Sequence, residues 1–119
     1  MDIRPKGSDA PLTWNKTLYV GTEASKYEKR IRKRLDRGKS VIGHYLITIA
    51  AGQNDELDLI STTLLTQDIL RARIPLIVGL AYDRREALDL LVRITDDCVR
   101  ETGGAQIRKW LLDGRKEGE

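Results

Sequence analysis

The sequence predicts an α/β fold, in which a three-stranded, mainly parallel sheet lies between helices. Three observations support this prediction. The segment 74–81 has no polar side chain, as expected of a strand buried on both faces in a parallel sheet. A helix-start signal follows it, with Asp83 as the cap and Glu86 three residues on. Elsewhere, apolar runs alternate with amphipathic ones, which is typical of β-α-β units.

The first half of the chain contains two predicted strands and one helix. Residues 1–11 are rich in turn-forming residues and have no period, so we expect a mobile arm. A first strand is predicted at 17–20. The motif S-K-Y-E, beginning at Ser25, is a capping-box pattern and predicts a helix over 25–37. The apolar run 41–51 predicts the second strand.

The second half contains the third strand, at 74–81, and three helices. Residues 57–60 fit either a short strand or the start of a helix, and both alternatives stay open. A helix is predicted from about residue 62 to 72, and a longer one from Asp83 to Gly103, where a glycine pair ends it. The apolar spacing within 107–111 predicts a last amphipathic helix.

The order of these elements predicts the topology. Strands joined through helices run parallel, and such crossovers are right-handed in nearly all cases. The simplest sheet has the strand order 2-1-3 with helices on both faces, which resembles half of a Rossmann-type fold in architecture only. Residues 12–113 would form this single domain, and 114–119 a frayed tail. Because the small sheet leaves two free edges, we expect a homodimer.

Composition excludes several classes of site. The single cysteine, Cys98, rules out an intramolecular disulfide framework, and its place on a helical stripe predicts a buried, unreactive thiol. The single histidine, His44, rules out a histidine-rich metal site, and we expect it away from the ligand-binding end of the sheet. No glycine-rich phosphate loop is present, so no cofactor is predicted. With no apolar run of roughly 20 residues and no signal-peptide pattern, we expect a cytoplasmic protein without membrane contact.

Polar loops follow the three predicted strands, and in open parallel sheets ligands bind outside the carboxyl ends of the strands. Free N–H groups at helix starts favour an anion there, and arginine adds charge-assisted hydrogen bonds. Ser25 and Asp83 are equally well explained as helix caps. We predict that this rim binds a small anionic ligand or a protein partner. Its residues are Thr22, Glu23, Ser25, Asn54, Asp55, Tyr82, Asp83 and Arg84.

One segment carries most of the positive charge. Residues 26–39 hold eight basic and two acidic side chains, whereas the whole chain has a net charge of +3. A basic helix binds nucleic-acid phosphates through counterion release, although no aromatic platform or helix-turn-helix pattern accompanies this one in the sequence. A solvated surface is the alternative interpretation. The residues that would contact nucleic acid are Lys26, Lys29, Arg30, Lys33, Arg34 and Arg37.

Three functions are therefore compatible with the sequence. The first, which we favour, is a binding or regulatory module that uses the rim. The second is a nucleic-acid-binding protein that uses the helix 25–37, and the third is a small hydrolase or transferase of unknown substrate. No catalytic residue is assigned, because no serine lies in a G-x-S-x-G turn and His44 has no evident acid partner. Asp96 and Asp97 point about 100° apart on a helix, which favours a solvated face over a metal site.

Overall fold

The computed structural model describes residues 12–49, 57–66, 73–104 and 106–113. The predicted arm and tail, 1–11 and 114–119, lie outside the described residues. The strands are β1 (Trp14–Val20), β2 (Tyr45–Ile49), β3 (Leu57–Ser61) and β4 (Ile77–Ala81), and the helices are α1 (Glu28–Asp36), α2 (Arg84–Thr102) and α3 (Ile107–Asp113). Two short 3-10 helices cover Ala24–Tyr27 and Thr62–Thr66.

The strands form one four-stranded mixed sheet in the order β1-β4-β2-β3. β1 and β4 are parallel, whereas β2 is antiparallel to both of its neighbours, β4 and β3. The predicted three-stranded, mainly parallel sheet of order 2-1-3 is therefore wrong, and so is its likeness to a Rossmann-type half. Two of the three strand pairings are antiparallel.

The error lies in the assumed direction of β2. A helix between two strands does not by itself fix their relative direction, because the parallel-crossover rule holds only for strands that run the same way in one sheet. In the fold, β4 lies between β1 and β2, and β2 is antiparallel to β4 and therefore to β1. β3, the segment that also fitted a helix start, is the antiparallel partner of β2, with Leu59 opposite Ile47.

A β-bulge in β4 changes which of its side chains face each side of the sheet. Ile47 pairs with Gly79 and Thr48 with Ile77, so Val78 has no partner in β2. The extra residue shifts the alternation of side chains. As a result Ile77 and Leu80 belong to one core, and Val78 to the other.

Each face of the sheet carries its own core. Ile31 and Leu35 of α1 pack with Leu46 of β2 on one face. On the other face, Ile94 of α2 and Trp110 of α3 pack with side chains of β2 and β4. All of β4 is buried, as the apolar run predicts. Burial of each large aliphatic side chain contributes about 1.5–3 kcal/mol, so the two cores dominate the stability of the fold.

The helix ends agree only in part with the predicted caps. Asp83 caps α2, since its Oδ1 accepts a hydrogen bond from the Glu86 N–H at 2.9 Å, and Gly103 ends this helix with φ at 78°. The predicted capping box at Ser25 is wrong, because the chain forms a 3-10 helix there and the Ser25 hydroxyl donates to the Thr22 carbonyl. The predicted helix up to residue 72 is reduced to the 3-10 helix Thr62–Thr66, and 67–72 lie outside the described residues.

The apolar spacing in α2 predicts a buried stripe of Ala87, Leu91, Ile94 and Cys98. Ala87, Ile94 and Cys98 are buried as expected, whereas Leu91 is half-buried at the margin of the same core and Leu90 is fully buried. None of the helices in the described parts of the chain combines the length and the hydrophobicity that crossing a bilayer requires.

Candidate nucleic-acid interface

One end of the sheet brings together segments that are distant in the sequence. Because β1 and β4 are parallel, their carboxyl ends are neighbours, with Val20 opposite Leu80. The reversed direction of β2 places its beginning at the same end, with Tyr45 opposite Ala81. Three segments therefore meet here: the loop after β1, the loop after β4 and the approach to β2.

Six of the eight residues predicted for the rim lie in the first two of these loops or in the first helical residues that follow them. The carboxylate of Glu86 bridges the two loops, because it accepts hydrogen bonds from backbone N–H groups of both. The other two, Asn54 and Asp55, lie outside the described residues. The strand ends that flank them, Ile49 and Leu57, are paired with each other at the opposite end of β2. The six that come together are Thr22, Glu23, Ser25, Tyr82, Asp83 and Arg84.

The carboxylate of Glu86 holds the two loops together. Its Oε2 accepts a hydrogen bond from the Glu23 N–H at 2.8 Å, and its Oε1 accepts from the Ala24 N–H at 3.2 Å. Oε1 also accepts from the Tyr82 N–H at 2.8 Å. The sequence predicted that Glu86 would reach back to the N–H of Asp83. Instead it reaches one residue further and crosses to the loop after β1.

Gly21 makes this contact possible. A Cβ atom at this position would lie 2.0 Å from Cδ of Glu86, so any side chain would displace the carboxylate. The backbone N–H groups that were expected to bind an external anion thus already donate to the carboxylate of Glu86. A small anionic ligand bound by these amides would have to displace Glu86, and such binding stays a prediction with no support from this geometry.

Three aromatic side chains form an exposed cluster beside this junction. The rings of Tyr27 and Tyr82 stack with their centroids 6.2 Å apart and their planes at 28°. The ring of His44 is tilted against Tyr82 at 5.1 Å. Each tyrosine keeps 40% of its surface exposed. We call Tyr27, Tyr82 and His44 the aromatic cluster; its members come from three separate segments of the chain.

Hydrogen bonds on both sides hold His44 in place. Its Nδ1 lies 2.8 Å from the carbonyl oxygen of Tyr82, and its backbone carbonyl accepts from the N–H of Thr62 at 2.8 Å. The buried hydroxyl of Thr62 contacts both the N–H and the carbonyl of His44, at 3.2 and 3.1 Å. The expectation that His44 lies away from this end of the sheet is wrong, because it assumed a parallel β2.

The basic helix begins directly at the aromatic cluster. Side chains on a helix are rotated by about 100° per residue, so positions 29, 30, 33 and 37 fall within about 100° of arc. Ile31 and Leu35 occupy the opposite, buried side. We call the four exposed cations the basic face; they are Lys29, Arg30, Lys33 and Arg37. The Arg30 guanidinium lies 5.9 Å from the centre of the Tyr27 ring and so joins the basic face to the aromatic cluster.

The other two predicted nucleic-acid contacts have partners within the protein. Lys26 pairs with Glu23 at 3.1 Å, and this hydrogen bond raises the pKa of the Lys26 ammonium above its ordinary value. Arg34 donates from Nε and Nη2 to the carbonyl of Ser40, at 3.1 and 2.9 Å. By contrast, the basic face makes no ion pair with any described residue. Its charges are therefore the ones available to a partner.

A cleft of about 320 Å³ lies between the basic helix and His44 of the aromatic cluster. Arg30 and Arg34 line one side of this cleft, and His44 lines it from the approach to β2. Two exposed arginines, Arg84 and Arg85, lie just beyond Tyr82 at the start of α2. The described residues contain no group of three or more His, Cys, Asp or Glu side chains arranged to hold a metal ion.

No local pattern in the sequence marks the aromatic cluster. The four-residue spacing of Tyr27, Ile31 and Leu35 predicts one apolar stripe on the basic helix, yet Tyr27 lies just before α1 and is 40% exposed. His44 and Tyr82 are 38 residues apart and meet only because β2 and β4 are antiparallel neighbours. The one usable signal was the two tyrosines at predicted helix starts, since loops at helix starts gather at the ends of a sheet.

Comparisons with protein families, with curated proteins and with solved structures gave no match. The function has to be inferred from the geometry of this interface.

Proposed function

We propose that the protein binds single-stranded nucleic acid, with the aromatic cluster stacking bases and the basic face contacting phosphates. Proteins that bind single strands combine these two features, because every base has a π-face and every nucleotide a negative charge. The observation that carries the proposal is the contact between Tyr27 and Arg30, which makes one continuous surface of rings and cations.

The exposure of the rings supports this role. Both rings keep 40% of their surface open, so they are accessible to a base. The 6.2 Å separation of the two ring centroids lies in the range of favourable aromatic pairs, so the rings are aligned without a ligand. A stacked base contributes about 1–3 kcal/mol to single-strand binding.

The cations support it as well. Arg84 and Arg85 lie in the first turn of α2, where the helix dipole disfavours positive charge. Because this placement costs stability, a role in binding an anionic partner accounts for it. The loop that precedes α2 carries Tyr82, so both arginines extend the positive surface on the far side of the aromatic cluster.

The test is a titration of the full chain with a labelled single-stranded oligonucleotide at several salt concentrations. We expect log K to fall linearly with log salt, with a slope of about −0.7 for each phosphate contacted. The double variant Lys29→Glu/Lys33→Glu should weaken binding and lessen this slope. Tyr82→Leu should weaken binding by about 5- to 150-fold without changing the slope, because stacking releases no counterions.

Matched controls separate these effects from general damage. Tyr82→Phe keeps the ring and should bind within about threefold of the unchanged protein. Lys109→Glu makes the same charge change as Lys33→Glu alone, but on α3, a helix that packs near the carboxyl end of α2, where the Trp110 indole donates to Glu101. Binding that does not depend on salt, or no binding at low salt, would contradict the proposal.

A further inference from the structure

His44 offers a hydrogen-bond acceptor next to the proposed binding surface. A carbonyl oxygen only accepts hydrogen bonds, so the 2.8 Å contact with the Tyr82 carbonyl requires a proton on Nδ1 of His44. The neutral imidazole then carries a lone pair on Nε2. Among the residues that the structure describes, none donates a hydrogen bond to this Nε2. In the neutral imidazole, the fold thus places the acceptor on Nε2, where a ligand can donate to it.

The surroundings of His44 indicate which part of a nucleotide would meet this acceptor. The Tyr82 ring lies 5.1 Å from the imidazole on one side and is a place for a base. On the other side, His44 shares the cleft with Arg30 of the basic face, whose guanidinium group suits a phosphate. In a nucleotide, the sugar joins the base to the phosphate. A strand that uses both neighbours therefore carries its sugar past His44.

We infer that the bound strand is RNA, and that Nε2 of His44 accepts a hydrogen bond from a ribose 2′-hydroxyl. This inference rests on the proposed function, and it names the substrate class of the same site. The 2′-hydroxyl is the group by which a protein distinguishes RNA from DNA at a given position. DNA has no donor there, so it leaves the imidazole acceptor unpaired when it displaces water from the cleft.

The experiment compares three labelled strands of identical sequence and length: RNA, DNA and 2′-fluoro RNA. The fluoro strand keeps an RNA-like sugar shape but has no hydroxyl to donate. We expect the unchanged protein to bind RNA about 2- to 12-fold more tightly than either of the other two, the factor that one net hydrogen bond provides. The variant His44→Asn keeps a side-chain donor for the Tyr82 carbonyl but removes Nε2, and it should bind all three strands equally.

The outcomes separate this inference from the proposed function. Equal binding of the three strands by the unchanged protein, or binding of the fluoro strand as tightly as RNA, would overturn the role of the hydroxyl and leave single-strand binding intact. No binding of any strand would overturn both. Because the three strands are compared on the unchanged protein, the test does not depend on how well the His44 variant folds.

Discussion

Glu86 shows how one side chain sets the geometry of the candidate interface. Its carboxylate accepts three backbone hydrogen bonds, from Glu23, Ala24 and Tyr82, and so joins two loops that are about 60 residues apart in the chain. The Glu23 and Ala24 amides lead into the 3-10 helix that carries Tyr27, and the third belongs to Tyr82 itself. The alignment of the two tyrosines therefore depends on this one residue.

The variant Glu86→Gln tests this dependence. The amide keeps one acceptor oxygen but turns the other into a donor, so at least one backbone N–H loses its partner. We expect the free energy of unfolding to fall by about 1–2 kcal/mol, measured by urea denaturation. Glu23→Gln is the control, since it removes only an exposed ion pair with Lys26 and should change stability by less than about 1 kcal/mol. Equal stability of Glu86→Gln and the unchanged protein would show that the carboxylate does not hold the loops.

Gly21 lies on the other side of this contact and leaves room for the carboxylate of Glu86. Alanine here would bring its Cβ to within 2.1 Å of Oε1 of Glu86. We expect Gly21→Ala to destabilise the protein at least as much as Glu86→Gln, and the double variant to cost less than the sum of the two, because both disrupt one contact. Additive effects in the same urea experiment would argue against a shared contact.

At the scale of elements, the first turn of α2 combines a favourable cap with unfavourable charges. Asp83 satisfies the Glu86 N–H, whereas Arg84 and Arg85 lie exposed at the positive end of the helix dipole. Neither arginine forms an ion pair with another described residue. A helix start selected only for stability would carry acidic residues at these two positions.

The double variant Arg84→Glu/Arg85→Glu should therefore move stability and binding in opposite directions. We expect the free energy of unfolding to rise by about 0.3–1 kcal/mol for each substitution, and the affinity for single-stranded nucleic acid to fall. Thermal or urea denaturation and the salt-dependent titration measure the two effects. A variant that loses stability, or that gains it and binds as before, would argue against a binding role for these arginines.

At the scale of the whole molecule, the sheet has a well-protected centre and two edges. β4 is buried along its full length and pairs on both sides, whereas β3 pairs only with β2 and has one exposed and four half-buried residues. We expect backbone amides of β4 and β2 to exchange most slowly with deuterated water, and those of β3 faster. Protection of β3 equal to that of β4 would indicate that a partner covers this edge, as in the homodimer that stays a prediction.

The local sequence pattern best identified the strand that contains only apolar residues, β4. The buried run around Val78 was recognisable because no polar residue interrupts it, and the cap at Asp83 because its spacing to Glu86 is a local property of the chain. The alternation of Leu57 and Leu59 about the exposed Asp58 was a usable strand signal, although the sequence alone left it open. Local signals of this kind depend on neighbours in the chain.

Strand direction and order had no such signal. An apolar run such as that around Ile47 has the same composition whether the strand runs up or down, and the insertion of β4 between β1 and β2 depends on packing over the whole chain. The contact of His44 with Tyr82 follows from that insertion, so no local pattern in the sequence could predict it. The basic face was predictable residue by residue, because charge spacing on a helix is local.

The internal carboxylate of Glu86 determines how this end of the sheet can bind a ligand. In nucleotide-binding folds, the backbone N–H groups of the phosphate site gain their acceptor when the phosphate of the ligand binds. Here the carboxylate of Glu86 accepts hydrogen bonds from the backbone N–H groups, so these donors are satisfied in the folded chain without a ligand. Under the proposed function, the strand would contact only the outer rings and guanidinium groups, and a single compact anion would find the backbone N–H groups at this end already paired with Glu86.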